Sequence, residues 1–185
     1  MKLESPLVGE HLLLRMLSAE DATARYLSWL SDIEVTRHLE VRFSPPSTLE
    51  NLARFIVATN NSGDTLMLGM FLRRDWRHIG NIKLGPINPH HGTAEIGLLI
   101  GDRDQWGKGY ACEAIALLTD HAFAGLSLAK LTAGCYADNE GSRRAFLKAG
   151  YIQEGRRVAQ WLVDGKRQDG ILLGKVNPIG LLENR

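Results

Sequence analysis

The segment Glu95-Ile-Gly-Leu-Leu-Ile-Gly-Asp-Arg-Asp-Gln-Trp-Gly-Lys-Gly-Tyr-Ala-Cys-Glu-Ala114 constrains this chain more than any other stretch. It reads as an apolar strand, a short charged turn, a Gly-Lys-Gly loop and the first turn of a helix. A glycine-rich loop between strand and helix makes an anion site, because the loop N–H groups and the positive end of the helix dipole converge there. A P-loop would need Ser or Thr after its lysine, and Lys108 is followed by Gly109. A dinucleotide fingerprint would need a third glycine or alanine where this chain has Cys112. A glycine-rich helix start without a ligand therefore competes with both.

The balance of the chain requires any anion binding to be local. A net charge of +1 over 185 residues gives no general attraction for nucleic acid or an anionic membrane. No apolar run approaches the roughly 18 residues of a membrane helix. The opening residues from Met1 to Pro6 lack the apolar segment of a secretory signal. Cys112 and Cys135 have neither CxxC spacing nor a histidine pattern beside them, so they read as two reduced thiols of a cytoplasmic protein with no metal.

Along the chain, residues 11–17 read as a first strand. Ser18 reads as the N-cap of a helix that carries Ala22, Tyr26, Trp29 and Leu30 at helical spacing. Ser47 and Glu50 form a capping box for a second helix over 48–58. Residues 66–73 and 78–87 read as two strands of a meander, and 93–100 as the strand of the opening segment. Ala111, Ala114, Ile115, Leu118 and Ala122 mark one face of the next helix, which ends near Gly125. A strand over 130–136, a helix over 139–149 stopped by Gly150, and a hairpin of 153–163 and 167–173 around Asp164-Gly165 complete the order. That order predicts an α+β sandwich with one mixed sheet, in a single domain over 8–176 with short tails at 1–7 and 177–185.

The second motif gives the loop a ligand. Asn139-Glu-Gly-Ser142 leads through Phe146 to Gly150-Tyr151. With it the chain resembles the GNAT superfamily of acyl-CoA-dependent N-acetyltransferases. The family's pyrophosphate loop, Gln/Arg-x-x-Gly-x-Gly/Ala, is met by Gly109 and Ala111, with Trp106 in place of Gln/Arg. Its Asn-x-x-Ser/Ala and Gly-Phe/Tyr signature is met by Asn139, Ser142, Gly150 and Tyr151. The branch with Trp106-Gly-Lys-Gly-Tyr-Ala and Glu113-Ala114 is similar to ribosomal-protein N-terminal acetyltransferases and to amino-sugar and antibiotic acetyltransferases.

The resemblance implies a mostly antiparallel sheet with helices on both faces and one splayed pair of parallel strands. It implies acetyl-CoA as co-substrate, held by Leu98, Leu99 and Ile100 on the strand, by Trp106, Gly107, Lys108, Gly109, Tyr110 and Ala111 at the loop, and by Asn139, Ser142 and Phe146 on the following helix. Glu95 is the expected base and Ser142 the expected acid, since Phe146 stands where many members carry an acidic tyrosine. Arg37, His38 and Phe43, with Glu40 and Arg42, are expected to line the acceptor pocket opposite Gln160 and Trp161. Gln160 stands where the ribosomal-protein branch carries a glutamate base. That difference favours a small amine, such as an amino sugar, over a protein N-terminal α-amine. The missing tyrosine and Gln160 also leave a non-catalytic CoA-binding sensor as a rival. The resemblance admits a homodimer through the closing hairpin.

Overall fold

The computed structural model describes residues 2–178. One eight-stranded sheet runs through them: β1 (Leu7–Val8), β2 (Leu12–Met16), β3 (Leu66–Leu72), β4 (His78–Leu84), β5 (Thr93–Ile100), β6 (Lys130–Tyr136), β7 (Ile152–Val163) and β8 (Lys166–Val176). The spatial order is β1-β2-β3-β4-β5-β6-β8-β7. Every neighbouring pair is antiparallel except β5 and β6, as the mixed-sheet expectation requires.

The helices cover both faces. Alternation along the strands separates two apolar layers, because successive side chains point to opposite sides. Leu12, Leu14, Leu68 and Met70 pack with α4 (Tyr110–Asp120) and α5 (Glu140–Lys148). Leu13, Met67 and Phe71 pack with α1 (Ala24–Ser31), α2 (Ile33–Thr36) and α3 (Leu49–Asn60). On α4, Ala114, Ile115 and Leu118 are fully buried, so the 3.6-residue pattern marks the face that meets the sheet.

Several boundaries differ from the sequence reading, each for a local reason. Ser18 caps only a 3-10 turn, Ala19–Asp21, where Asp21 is held by Arg15 at 2.7 Å; the helix starts later, at the Thr23 cap. The cap of α3 is Thr48, whose hydroxyl accepts from the Asn51 N–H at 3.1 Å, rather than Ser47. β4 stops at Leu84 because Gly85-Pro86 follows, and proline has no N–H to continue a ladder. Past Asp120 the helix widens into one π turn, His121–Gly125. Leu7, expected in the tail, pairs with Leu14, and Leu3 packs against the core. Asn177 is buried, its N–H donating to the Ala129 carbonyl at 2.8 Å, while 179–185 of the expected tail lie outside the described residues.

Candidate functional site

The site starts where the two parallel strands part. β5 and β6 pair only at Thr93–Lys130, Ala94–Leu131 and Glu95–Thr132. Beyond that step β5 stays on β4 as far as Ile100, and β6 stays on β8 as far as Tyr136. A wedge opens between them, and the β5 backbone groups that face it have no strand partner.

The loop closes one end of the wedge. The indole N–H of Trp106 donates to the Ile100 carbonyl at 2.8 Å and ties the loop to the end of β5. Trp106 thus braces the loop, which explains how it can stand in for the Gln/Arg of the motif. Gly107 (φ 74°) and Gly109 (φ 87°) are in left-handed backbone, where a side chain is strained. Gly109 is also the N-cap of α4 and carries no capping side chain. The first N–H groups of α4 therefore keep their donors for a ligand.

A cleft of about 690 Å³ fills the wedge. Leu98, Leu99 and Ile100 form its β5 wall, and Trp106, Gly107, Gly109, Tyr110 and Ala111 its loop end. Asn139 and Ser142 line it from α5, Arg37 and His38 from the segment after α2. Two expected cofactor residues are not in it. Lys108 donates instead to the Gln105 amide oxygen at 3.2 Å. Phe146 is 1% exposed and packs edge-on against Tyr151 at 5.1 Å, because it lies on the sheet side of α5 while Ser142, Ala145 and Lys148 face the cleft.

The α5 wall adds two cations that motif reading missed, Arg144 and Lys148. Their signal in the sequence was spacing: Lys148 stands two helical steps of three from Ser142. Asn139 is engaged as well. Its side-chain oxygen accepts from the Ser142 N–H at 3.1 Å and caps α5, leaving its amide donors as the group that can meet a ligand.

On the other side of the wedge, residues 37–43 meet the end of β6. The Tyr136 hydroxyl accepts from Arg42 Nη2 at 3.1 Å and donates to Glu40 Oε1 at 3.2 Å. Arg42 also donates to the Leu162 carbonyl at 3.1 Å, tying this segment to the β7–β8 hairpin. Trp161 stacks on Tyr136 with ring centroids 4.2 Å apart. His38 Nε2 stands 3.0 Å from Asp138 Oδ1 without an aligned hydrogen bond, and Gln168 donates to the other Asp138 oxygen at 2.9 Å. Asp138, just before the Asn139 cap, carried no motif of its own.

Burial sets the charge states here. It lowers the His38 pKa, although Asp138 pulls the other way, so the ring is neutral near pH 7. It raises the Tyr136 pKa, so the phenol keeps its proton despite the Arg42 guanidinium.

Phe43, Gln160 and Trp161, expected at the acceptor pocket, and Glu95, the expected base, lie outside the cleft. Phe43 is 66% exposed beneath the Arg42 guanidinium, 4.4 Å from it. Gln160 is exposed beside a bulge: the β7–β8 register slips between Arg157 and Trp161, with Ala159 at φ 52° donating to Asp169 at 2.7 Å. That slip sets Trp161 against Tyr136 and leaves Gln160 in solvent. Glu95 is exposed at the apex of the wedge, outside the delimited cleft, beside Gly134.

Comparison with known proteins decides the family. The acetyltransferase (GNAT) domain model matches residues 11–152. The chain belongs to the GNAT acetyltransferase family. This GNAT domain is 29% identical over 164 residues to an uncharacterized N-acetyltransferase of Bacillus licheniformis, covering 85% of this chain and 91% of that one. It is 31% identical over 148 residues to a second one, from Bacillus subtilis, with 79% and 82% covered. Its fold matches a Vibrio cholerae spermidine N-acetyltransferase solved with CoA and spermine, at a TM-score of 0.80 and 20% identity over 91% of this chain and 97% of that one. The GNAT chain is thus an acetyl-CoA-dependent N-acetyltransferase. No helix among its described residues is long and apolar enough to cross a membrane.

Proposed function

We propose that this acetyltransferase acts on the primary amine of a small molecule, an amino sugar or a similar compound, by direct attack on the thioester. The observation that carries the reading is the wedge itself: unpartnered β5 backbone along Leu98–Ile100, helix N–H groups at its end, and a carboxylate, Glu95, where it closes.

The residues present suit an acyl-CoA. The first N–H groups of α4 meet a pyrophosphate. Arg144 and Lys148 add positive charge at the cleft wall, and the Asn139 amide donates to the pantetheine arm. Acetyl-CoA supplies an activated acyl carbon as its thioester. A β5 backbone N–H beyond Glu95 donates to the thioester oxygen as negative charge develops there. Glu95 takes the proton that the attacking amine releases, and the amine nitrogen bonds to the acyl carbon as the carbon–sulfur bond breaks. Ser142 offers the departing sulfur a hydroxyl proton. Tyr136, held protonated by burial and braced by Arg42 and Glu40, is a second donor on that side.

Gln160 supplies no base, which weighs against a protein N-terminal α-amine as acceptor. The fold neighbour that holds spermine supports an amine acceptor in general terms. A CoA-release assay across amino sugars, nucleotide-linked amino sugars, aminoglycosides, polyamines and N-terminal peptides tests the reading. Turnover confined to the peptides would overturn it.

A further inference from the structure

β6 is an interior strand that keeps only its β8 partner past Thr132, and Gly134 near its end is exposed. Nothing in the fold asks for glycine there. Its φ is not in the left-handed region, and a Cβ at this position would make only ordinary contacts, 3.8 Å to Glu95 Oε1 and 4.0 Å to Trp161 Cη2. Gly170 is a different case. A Cβ there would stand 2.7 Å from the Trp161 ring, so that glycine is what lets the indole lie across β8 and reach Tyr136. Gly97, two residues along from Glu95, likewise leaves open space, with nothing within 4 Å of where its Cβ would be. Glycine inside a strand is less stable than alanine there, because it loses more conformational freedom on folding. What Gly134 and Gly97 leave in return is a bare backbone floor with a carboxylate on one side and an aromatic ring on the other.

We propose that this glycine-floored slot, walled by Glu95 and Trp161, receives the acceptor and selects a protonated primary amine carried on an unbranched methylene. Two features give that chemistry. The Glu95 carboxylate recognises a compact cation by charge, and the edge of the Trp161 indole at Cη2 gives the opposite wall an apolar surface for the methylene. The two walls come within van der Waals reach of a single methyl-sized group at the floor, so a slender aminomethyl chain enters where a branched carbon meets both walls. An exocyclic aminomethyl group of a sugar or an alkylamine fits; an amine on a ring carbon, or the α-amine of a peptide, does not. Glu95 then lies beside the ammonium whose proton it must remove. The inference rests on the proposed small-amine acetyl transfer and narrows its acceptor.

The test compares n-propylamine with isopropylamine, two amines of similar basicity that differ in branching, with acetyl-CoA as donor, in wild type and Gly134→Val. The wild type should favour n-propylamine by at least about 10-fold in kcat/KM, the scale of one misfitting carbon in a pocket. Gly134→Val should lose about 100-fold with n-propylamine, the scale of a displaced acceptor. Its Tm should hold or rise, because valine suits a strand, and its acetyl-CoA Kd should stay at the wild-type value. Equal rates with the two amines, or full activity in Gly134→Val, would overturn the slot while leaving amine acetylation intact. Absence of turnover with both amines would also overturn it; the wider reading fails if the full amine panel is silent too or turns over only the peptides.

Discussion

Glu95 and Thr132 form the last paired step between β5 and β6, and one residue further the strands have parted. The carboxylate is thereby anchored on hydrogen-bonded backbone beside backbone that is free to meet a ligand. Glu95→Gln preserves shape and removes the proposed base. Its kcat/KM should fall by about 100-fold or more, in line with loss of a positioned general base. Calorimetry should show an unchanged acetyl-CoA Kd. A matching loss of donor affinity would assign Glu95 to binding instead.

Asn139 and Ser142 share one hydrogen bond but should fail differently. The cap of α5 uses the Asn139 side chain and the Ser142 backbone N–H. Asn139→Ala should therefore lower stability by about 1 kcal/mol, seen in denaturant melts. Ser142→Ala leaves the cap intact, so its melts should match wild type while kcat drops.

Lys148 and Arg144 line the cleft one helical turn apart, but their charges are not equally engaged. Arg144 donates to Glu140 at 2.6 Å, whereas no carboxylate among the described residues pairs with Lys148. Lys148→Ala should raise the KM for acetyl-CoA by about 10-fold, the worth of one charged hydrogen bond. A smaller rise with 3′-dephospho-acetyl-CoA would place that contact on the 3′-phosphate.

His78 should make the fold sensitive to acid. Its ring lies against Phe71 at 4.6 Å and Trp29 at 5.0 Å, with Nε2 3.0 Å from both the Gly80 carbonyl and Asn81 Oδ1. Burial pushes its pKa down, against the pull of those acceptors and of Asp21. The unfolded chain thus takes up this proton near the ordinary histidine value of about 6.5, before the folded chain does, and stability falls as pH drops below it. His38 and His121, also lowered by burial, act in the same direction. Tm should decline between about pH 6.5 and 5, and His78→Phe should flatten that decline while starting from a lower Tm at neutral pH.

Local signals in the chain were legible wherever one element could satisfy them. The apolar stripe of α4, the Gly150 stop and the turn at Asp164-Gly165 all stand where spacing put them. Errors fell where two local devices competed. Ser18 and Thr23 both offer a cap, and only the Arg15–Asp21 pairing shows that the first closes a separate turn. Phe146 could not be sorted between core and cleft, since helical spacing gives a face and not what the face meets.

By itself the sequence determined the donor half: a strand, two glycines that tolerate left-handed backbone, a helix start, and an asparagine cap one strand later. Each depends on neighbours within a few residues, and short-range geometry is written in residue order. Tertiary structure decided the proposed acceptor half. Gly134, Glu95, Trp161 and Gly170 come from four strands, and the slip in β7–β8 register between Arg157 and Trp161 sets Trp161 opposite Gln168, next to Gly170. Register between strands sets which residues meet across them, so a pattern read along one strand cannot show which residue ends up over its neighbour.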